Sequence, residues 1–165
     1  MTNAYLATYL SDHLAGSVAA LELLEDLETT YAGTALRDFF VELQTDIEAD
    51  QKELQALMDR LQIVESRPRK LAAWLAEKSI ALKVRLDDKA NGPLRLIESL
   101  EAVGLGIHGK LALWEALRAA AEELPRLRGM VDYERLARRA EEQRRRIEIV
   151  RLEAAKAAFA QRSFT

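Results

Sequence analysis

Apolar residues recur at every third or fourth position through most of the chain, which is the spacing of one face of an α-helix. Breaks in this pattern fall at turn-forming or helix-capping residues, such as Gly33, Thr34 and Pro125. The four long segments between the breaks are Asn3–Tyr31, Thr34–Leu61, Pro93–Leu124 and, approximately, Asp132–Gln161. The pattern therefore predicts an all-α chain with four long helices.

The first, second and fourth long segments each have one predicted apolar stripe that would face a core. In the first segment the stripe is Leu6, Leu10, Leu14, Val18, Leu21 and Leu24. In the second it is Leu36, Phe40, Leu43, Ile47, Leu54, Leu57 and Leu61, and in the fourth it is Leu136, Ala140, Ile147, Val150, Ala154 and Ala158.

The stretch between the second and third segments, Glu65–Gly92, is predicted to form a shorter helix that Pro68 opens. A helix of about 17 residues is about 25 Å long, enough to carry the chain back along a bundle. The third long helix would then run parallel to the second. Four long helices with one long crossover in the middle form the ferritin-like arrangement.

The sequence also resembles a known group of proteins. The strings YLSDHLAGSVAALELLEDL and LRDFFVELQTDIEADQKELQALMDRL are similar to ferritin-like bacterial proteins. Through DHLAG near the start and GKLALW in the third helix, nearly the whole chain resembles an uncharacterised family of short bacterial helical proteins. The resemblance implies an up-down-down-up four-helix bundle in one domain, residues 1–165, with an additional short helix in the crossover. It implies no known activity.

The two-metal site of ferritin-like proteins is not expected here. Such a site needs a Glu from each of two helices and a Glu-x-x-His pair from each of the other two. In this chain Leu10 stands three residues before His13, and Leu105 stands three residues before His108. The second and fourth segments contain no histidine and read DIEADQ and EEQRRR where ligands would be needed. The metal ligands are therefore predicted to be lost.

Six polar residues are nevertheless predicted to lie near mid-bundle: His13, Asp50, His108, Lys110, Gln143 and Arg146. One interpretation is a buried hydrogen-bonded network around Asp50 that fixes the register of the helices and performs no chemistry. The alternative is a single iron or manganese ion held by His13, Asp50 and His108, because two histidines and one carboxylate form a common iron-binding set.

Glycines interrupt the third segment at Gly104, Gly106 and Gly109. Glycine inside a helix is less favourable than alanine by about 0.8–1 kcal/mol, so the three together forgo about 3 kcal/mol. We expect close packing against Gly16 and other small residues of the first helix to compensate for this loss. The alternative is a pocket for an apolar ligand.

Charge is distributed unevenly along the chain. Residues 1–63 hold 12 acidic and 3 basic side chains, and the rest hold 15 acidic and 21 basic, so the two parts carry −9 and +6. Acidic and basic residues are interleaved in the last segment, so we expect helices of opposite charge to face each other and no nucleic acid to bind.

The chain has no cysteine, which excludes disulfides and thiolate metal sites but says little about location. No apolar run approaches the roughly 20 residues of a membrane span, and the amino terminus does not read as a signal peptide, so the expected location is cytoplasmic.

The crossover helix is basic and amphipathic between Lys70 and Leu86. We expect its apolar stripe to cover the bundle. If Trp74 is instead exposed, the same surface suits a homodimer contact, and a third alternative is binding to a membrane surface.

No motif of catalysis or phosphate binding occurs in the sequence. The function favoured by the sequence is a non-enzymatic binding or scaffold protein, with a second copy or an unknown protein as its partner. The alternatives are a metal-dependent redox or metal-storage protein and a protein that binds membrane surfaces or apolar ligands.

Overall fold

A computed structural model describes residues 4–64 and 92–160 of the chain. These ranges contain four long α-helices, a short 3-10 turn at Pro125–Leu127 and no β-strand. The helices are α1 (Ala4–Thr30), α2 (Ala35–Arg60), α3 (Gly92–Glu123) and α4 (Tyr133–Phe159). The all-α prediction is confirmed, and every helix boundary lies within about two residues of its predicted place.

Helix α2 buries the whole stripe that the sequence predicts, and α4 buries most of its own. All seven stripe residues of α2 are buried, and on α4 Leu136, Ala140, Ile147 and Ala154 are buried while Val150 and Ala158 are half-buried. Both helices have strongly polar outer sides, so only one face of each can enter the core.

Helix α1 departs from the prediction. Val18, which the predicted stripe includes, is 46% exposed, whereas Leu23 and Leu27 are buried. Apolar residues occur on several sides of α1, so the sequence allows more than one stripe. The buried side of α1 turns between Leu14 and Leu23, which the single predicted stripe misses.

The two connections are fixed by residues that suit tight turns. Gly33 and Gly129 have φ angles of 82° and 68°, in the left-handed region that favours glycine. Asp132 caps α4, since its carboxylate accepts a hydrogen bond of 2.9 Å from the backbone N–H of Arg135. Thr34 precedes α2 as predicted, but its hydroxyl donates to the carbonyl of Tyr31 and does not cap the helix.

Helix directions follow from the side-chain pairs between helices. Along α2 and α4, Glu53 pairs with Arg135 and Asp46 pairs with Arg146, so the two helices are antiparallel. Helices α3 and α4 are joined by a short connection and are also antiparallel. Helix α1 packs against both α2 and α3.

The buried apolar side chains of the described residues form two clusters. One cluster contains Phe40, Ile47 and Ile107, and the other contains Leu54 and Trp114, each with further core residues. Asp50 lies one helical turn from Ile47 and one from Leu54, so it stands where the two clusters meet.

Several predictions concern residues that the structure does not describe. The helix opened by Pro68, the basic amphipathic surface Lys70–Leu86 and the exposure of Trp74 all fall within residues 65–91, outside the described ranges. Among the described helices, none combines the length and apolar character needed to cross a membrane.

Candidate functional site

Asp50 is the most unusual residue of the core, because it is a carboxylate with only 2% of its surface exposed. It lies on the apolar stripe of α2, where Ile47 precedes it by three residues and Leu54 follows it by four. Helical periodicity places these three side chains on one face, so Asp50 points into the bundle. A buried carboxylate is expensive unless it is hydrogen-bonded and paired.

Three side chains from two other helices satisfy this carboxylate. From α3, the ammonium group of Lys110 donates to Oδ2. From α4, Arg139 Nε donates to Oδ1 at 2.6 Å and Gln143 Nε2 donates to Oδ2 at 2.9 Å. Both carboxylate oxygens are therefore occupied by donors from the protein itself.

Gln143 closes this group of four residues, which we call the mid-bundle cluster (Asp50, Lys110, Arg139 and Gln143). The Gln143 side chain is 1% exposed and uses both ends of its amide. Its nitrogen donates to Asp50, and its oxygen accepts from Lys110. Each polar group of the amide thus has a partner inside the cluster, and the cluster joins α2, α3 and α4 at one level.

Burial lowers the pKa of the Lys110 ammonium, because an apolar surrounding disfavours the charged form. The negative charge and hydrogen bond of Asp50 act in the opposite direction and partly offset this effect. Desolvation and the contact with Asp50 thus act in opposite directions on the charged form of Lys110.

Further ion pairs continue the cluster along α2 and α4. Toward the amino end of α2, Arg146 contacts Asp46 at 2.6 Å and Glu42 at 3.3 Å. Toward its carboxyl end, Arg135 contacts Glu53 at 2.7 Å. We call the full set the α2–α4 charge ladder, and its members are Glu42, Asp46, Asp50, Glu53, Arg135, Arg139, Gln143 and Arg146.

The ladder shows which residues the sequence predicted and which it missed. Asp50, Lys110 and Gln143 come together as expected. Arg146 lies one turn beyond Gln143 on α4 and pairs with Asp46 instead of Asp50. Arg139 was missed, although the signal is in the spacing. Residues 42, 46, 50 and 53 of α2 and residues 135, 139, 143 and 146 of α4 each advance by three or four, so each series stays on one side of its helix.

The two histidines are not part of the cluster. His13 is half-buried and packs edge-to-face against Tyr9, with the ring centroids 4.6 Å apart. Burial lowers the pKa of His13, and the charge of Asp12 opposes this effect. His108 is exposed on the outer side of α3, so its predicted position at mid-bundle is corrected. It lies one residue from buried Ile107, a rotation of about 100° around the helix that turns its side chain outward.

The residues present do not fit a metal centre at mid-bundle. In residues 4–64 and 92–160, no group of three or more His, Asp or Glu side chains is arranged to hold a metal ion. Asp50, the one fully buried carboxylate among the described residues, is bound by two cationic side chains, Lys110 and Arg139. A metal ion would have to displace both cations and would then have a single carboxylate as ligand.

The glycines of α3 do not mark close helix contacts. A methyl group at Gly104 would lie 3.6 Å from Ile147 Cγ2, and one at Gly109 would lie 3.9 Å from His13 Cε1, both ordinary contacts. A methyl group at Gly106 would meet nothing within 4 Å. The expected close packing at these three glycines is therefore wrong, and Gly16 is half-buried on α1.

A shallow surface depression lies elsewhere, at the carboxyl end of α3. It is lined by Arg118, Ala121, Glu122, Arg128, Gly129 and Tyr133. Arg128 donates to the carbonyls of Ala121 and Glu122, so its guanidinium satisfies the last turn of the helix. Its lining combines three charged side chains, Arg118, Glu122 and Arg128, with uncharged residues.

Comparison with known proteins adds nothing to these observations: no family model, curated protein or solved structure matches the chain.

Proposed function

We propose that the chain is a ferritin-like, up-down-down-up bundle that acts as a non-enzymatic scaffold or binding protein. In this proposal residues 65–91 form the crossover between α2 and α3, and the mid-bundle cluster stands where related bundles hold two metal ions. The antiparallel pairs α2–α4 and α3–α4 support the proposal, since together they make α2 and α3 parallel and require a long crossover.

The observation that carries the proposal is the complete pairing of the Asp50 carboxylate. Side-chain cations of the protein, Lys110 and Arg139, supply the positive charge that metal ions supply in a di-metal bundle. Because these cations are covalently part of α3 and α4, the pairing fixes the helices in register and leaves no open coordination position for a substrate.

The test is a comparison of wild-type protein with Asp50→Asn and Asp46→Asn. Asparagine keeps the shape of the side chain but leaves Lys110 and Arg139 without a counter-charge. We expect Asp50→Asn to lower the free energy of unfolding by about 2–4 kcal/mol, measured by urea denaturation. The control Asp46→Asn removes a carboxylate from the same helix at a half-exposed position, and we expect a loss of about 1 kcal/mol or less.

Metal content decides between this proposal and the metal-binding alternative. The proteins are purified without an affinity tag from cells grown with added iron, manganese and zinc. Metal far below one ion per chain in all three proteins agrees with the proposal. Near-stoichiometric iron or manganese in the wild type that is lost in Asp50→Asn contradicts it and favours the redox or metal-storage function.

Two further expectations remain predictions. Binding to a membrane surface depends on residues 70–86, outside the described part of the chain. The cytoplasmic location also stays a prediction.

A further inference from the structure

The middle of α1 is shielded from solvent on its outer side. Leu10 and Leu14 of α1 enter the core. Because successive residues of a helix are about 100° apart, the opposite side of α1 carries Asp12, Ala15 and Ala19. All three are half-buried, although they face away from the core. We call these three residues the outer side of α1.

Ser11, at the edge of this side, is buried more completely. Its side chain is 1% exposed, whereas Val18, seven residues further along α1, is 46% exposed. Seven residues are close to two helical turns, so both side chains leave α1 in nearly the same direction. The neighbouring helices alone would cover both positions alike, so a further element covers α1 at the level of Ser11.

The other three described helices have exposed outer sides. The exposed outward positions are residues 38, 42, 45, 52, 55 and 59 of α2, residues 101, 105, 108, 112, 115 and 119 of α3, and residues 134, 138, 142, 145, 148 and 152 of α4. Ala112 and Ala119 of α3 are exposed, whereas Ala15 and Ala19 of α1 are half-buried. The cover on α1 is therefore not a consequence of small side chains.

The cover belongs to the chain itself, because the structure contains a single chain. Helices α2 and α3 lie on the other sides of α1. On α2, Gln51 donates a hydrogen bond of 2.8 Å to Ser17. On α3, a methyl group at Gly109 would lie 3.9 Å from His13 Cε1. The outer side of α1 faces away from both contacts.

The two ends of the chain do not reach this level. Thr8 is exposed and lies between residues 1–3 and Ser11. Helix α4 runs parallel to α1, because both are antiparallel to α2. Residues 161–165 therefore follow the end of α4 near the carboxyl end of α1, about 28 Å along α1 from Ser11. Five residues extend at most about 18 Å, so residues 65–91 remain.

The position and length of residues 65–91 fit this path. They begin where α2 ends, and the contact of Gln51 with Ser17 places the middle of α1 level with the second half of α2. They must return to the start of α3 at the other end of the bundle. As a helix, 27 residues would extend about 40 Å, and α2 with its 26 residues is about 39 Å long.

Charge favours α1 over α4 as the surface that residues 65–91 cover. These residues contain seven lysines and arginines and four acidic residues, a net charge of +3. Helix α1 contains five acidic residues and no lysine or arginine, a net charge of −5. Helix α4 contains eight basic and five acidic residues, a net charge of +3. A basic segment is therefore attracted to α1 and repelled by α4.

We infer that residues 65–91 of this chain lie across the outer side of α1, with the predicted apolar stripe of Lys70–Leu86 over Ala15 and Ala19. That stripe is then used within the chain, and not for a second copy or a membrane surface. The inference does not rest on the proposed function, because residues 65–91 join α2 to α3 whether or not the bundle holds a metal.

The first test measures the reactivity of single cysteines with a maleimide, since the chain has no native cysteine. We expect Ser11→Cys to react about tenfold or more slowly than the exposed control Ala112→Cys, at a rate independent of protein concentration. Adding Trp74→Glu, which places a charge in the predicted stripe, should remove most of this difference. Ala154→Cys, buried on α4, should stay unreactive in the same background and so shows that the bundle remains folded.

Three results of this test overturn the inference. One is equal reactivity of Ser11→Cys and Ala112→Cys. Another is protection of Ser11→Cys that survives Trp74→Glu while Ala154→Cys stays unreactive. The third is protection that disappears on dilution, because a second copy would then be the cover.

A second test leaves residues 65–91 unchanged, so it decides the matter even if Trp74→Glu unfolds the bundle. A benzophenone maleimide is attached to Val18→Cys, beside the outer side of α1, and irradiated. We expect cross-links within one chain to peptides from residues 65–91, identified by mass spectrometry. The matched control is Leu152→Cys on α4, because Leu152 is 44% exposed and Val18 is 46% exposed. Cross-links from Val18→Cys to α2 or α3 alone, or equal cross-linking from Leu152→Cys to residues 65–91, contradict the inference.

Discussion

At the scale of single residues, the members of the mid-bundle cluster depend on one another for hydrogen-bond partners and for opposite charge. Asp50 is buried because Lys110, Arg139 and Gln143 satisfy both of its oxygens, and Lys110 is charged in a surrounding that lowers its pKa because Asp50 is beside it. Removing Asp50 leaves Lys110 and Arg139 without their shared counter-charge, and removing Arg139 takes away the donor that it gives to Oδ1 of Asp50. The cluster therefore penalises any arrangement of helices that does not bring all four residues to one level.

His13 gives a residue-scale prediction for pH. Its pKa lies below the ordinary value of about 6.5, chiefly because burial disfavours the imidazolium. The unfolded chain therefore binds a proton first as the pH falls. The stability that neutral His13 contributes is fully present above pH 6.5 and is lost as the pH falls through the folded-state pKa. We expect His13→Phe to reduce the loss of stability between about pH 6.5 and 5, measured by urea denaturation at each pH.

The matched control for this prediction is His108→Phe, because His108 is exposed on α3. A smaller loss of stability in His13→Phe than in His108→Phe would assign the pH dependence to His13. Since Asp12 lies next to His13 and opposes the shift, Asp12→Asn should steepen the loss. A pH dependence unchanged in His13→Phe would show that other groups cause it.

At the scale of elements, the sequence predicted helices better than it predicted their faces. Helices α2 and α4 alternate between strongly polar and apolar sides, so their buried stripes could be read directly. Helices α1 and α3 have apolar residues on several sides. Periodicity alone does not choose among several stripes, which explains the errors at Val18 and His108.

The mid-bundle cluster could be predicted only in part for a related reason. A polar residue between two apolar stripe positions, such as Asp50 or Gln143, is visible in the sequence. Arg139 lies at the edge of its stripe, where a long side chain reaches inward from a half-exposed position. Its role follows only when α2 and α4 are placed side by side in antiparallel order, which brings Arg139 to the level of Asp50.

Glycine substitutions test the interpretation of α3. Gly106→Ala should raise the free energy of unfolding by about 0.5–1 kcal/mol, because a methyl group there meets nothing within 4 Å and alanine favours the helix. Gly33→Ala should have the opposite effect and lower it by about 1 kcal/mol, since Gly33 has a φ angle of 82°. Chemical denaturation of both variants measures the difference. A destabilised Gly106→Ala would indicate that something covers Gly106.

At the scale of the whole molecule, the mid-bundle cluster lies between the two apolar clusters of the core. It links three of the four described helices, α2, α3 and α4. Apolar packing alone tolerates sliding of one helix along another, since one leucine can replace the next in a contact. The mid-bundle cluster does not tolerate it. A slip of α2 against α4 by one turn would bring Asp50 to another member of the α2–α4 charge ladder, but it would separate Asp50 from Lys110 and from either Arg139 or Gln143. The mid-bundle cluster and the ion pairs that flank it therefore together select the antiparallel register of these two helices.

A charge-reversal cycle measures this selection. Asp46→Arg places two arginines together, and Arg146→Asp places an aspartate among Glu42 and Asp46, so each should lower the free energy of unfolding by about 1–2 kcal/mol. The double variant restores opposite charges across α2 and α4, and we expect a favourable coupling energy of about 1 kcal/mol. The control cycle, Glu141→Arg with Arg144→Glu, reverses a solvent-exposed ion pair within α4 alone and should show a weaker coupling than the first cycle. Equal coupling in the two cycles would mean that the ladder adds nothing specific between α2 and α4, and the apolar clusters would then have to fix the register by themselves.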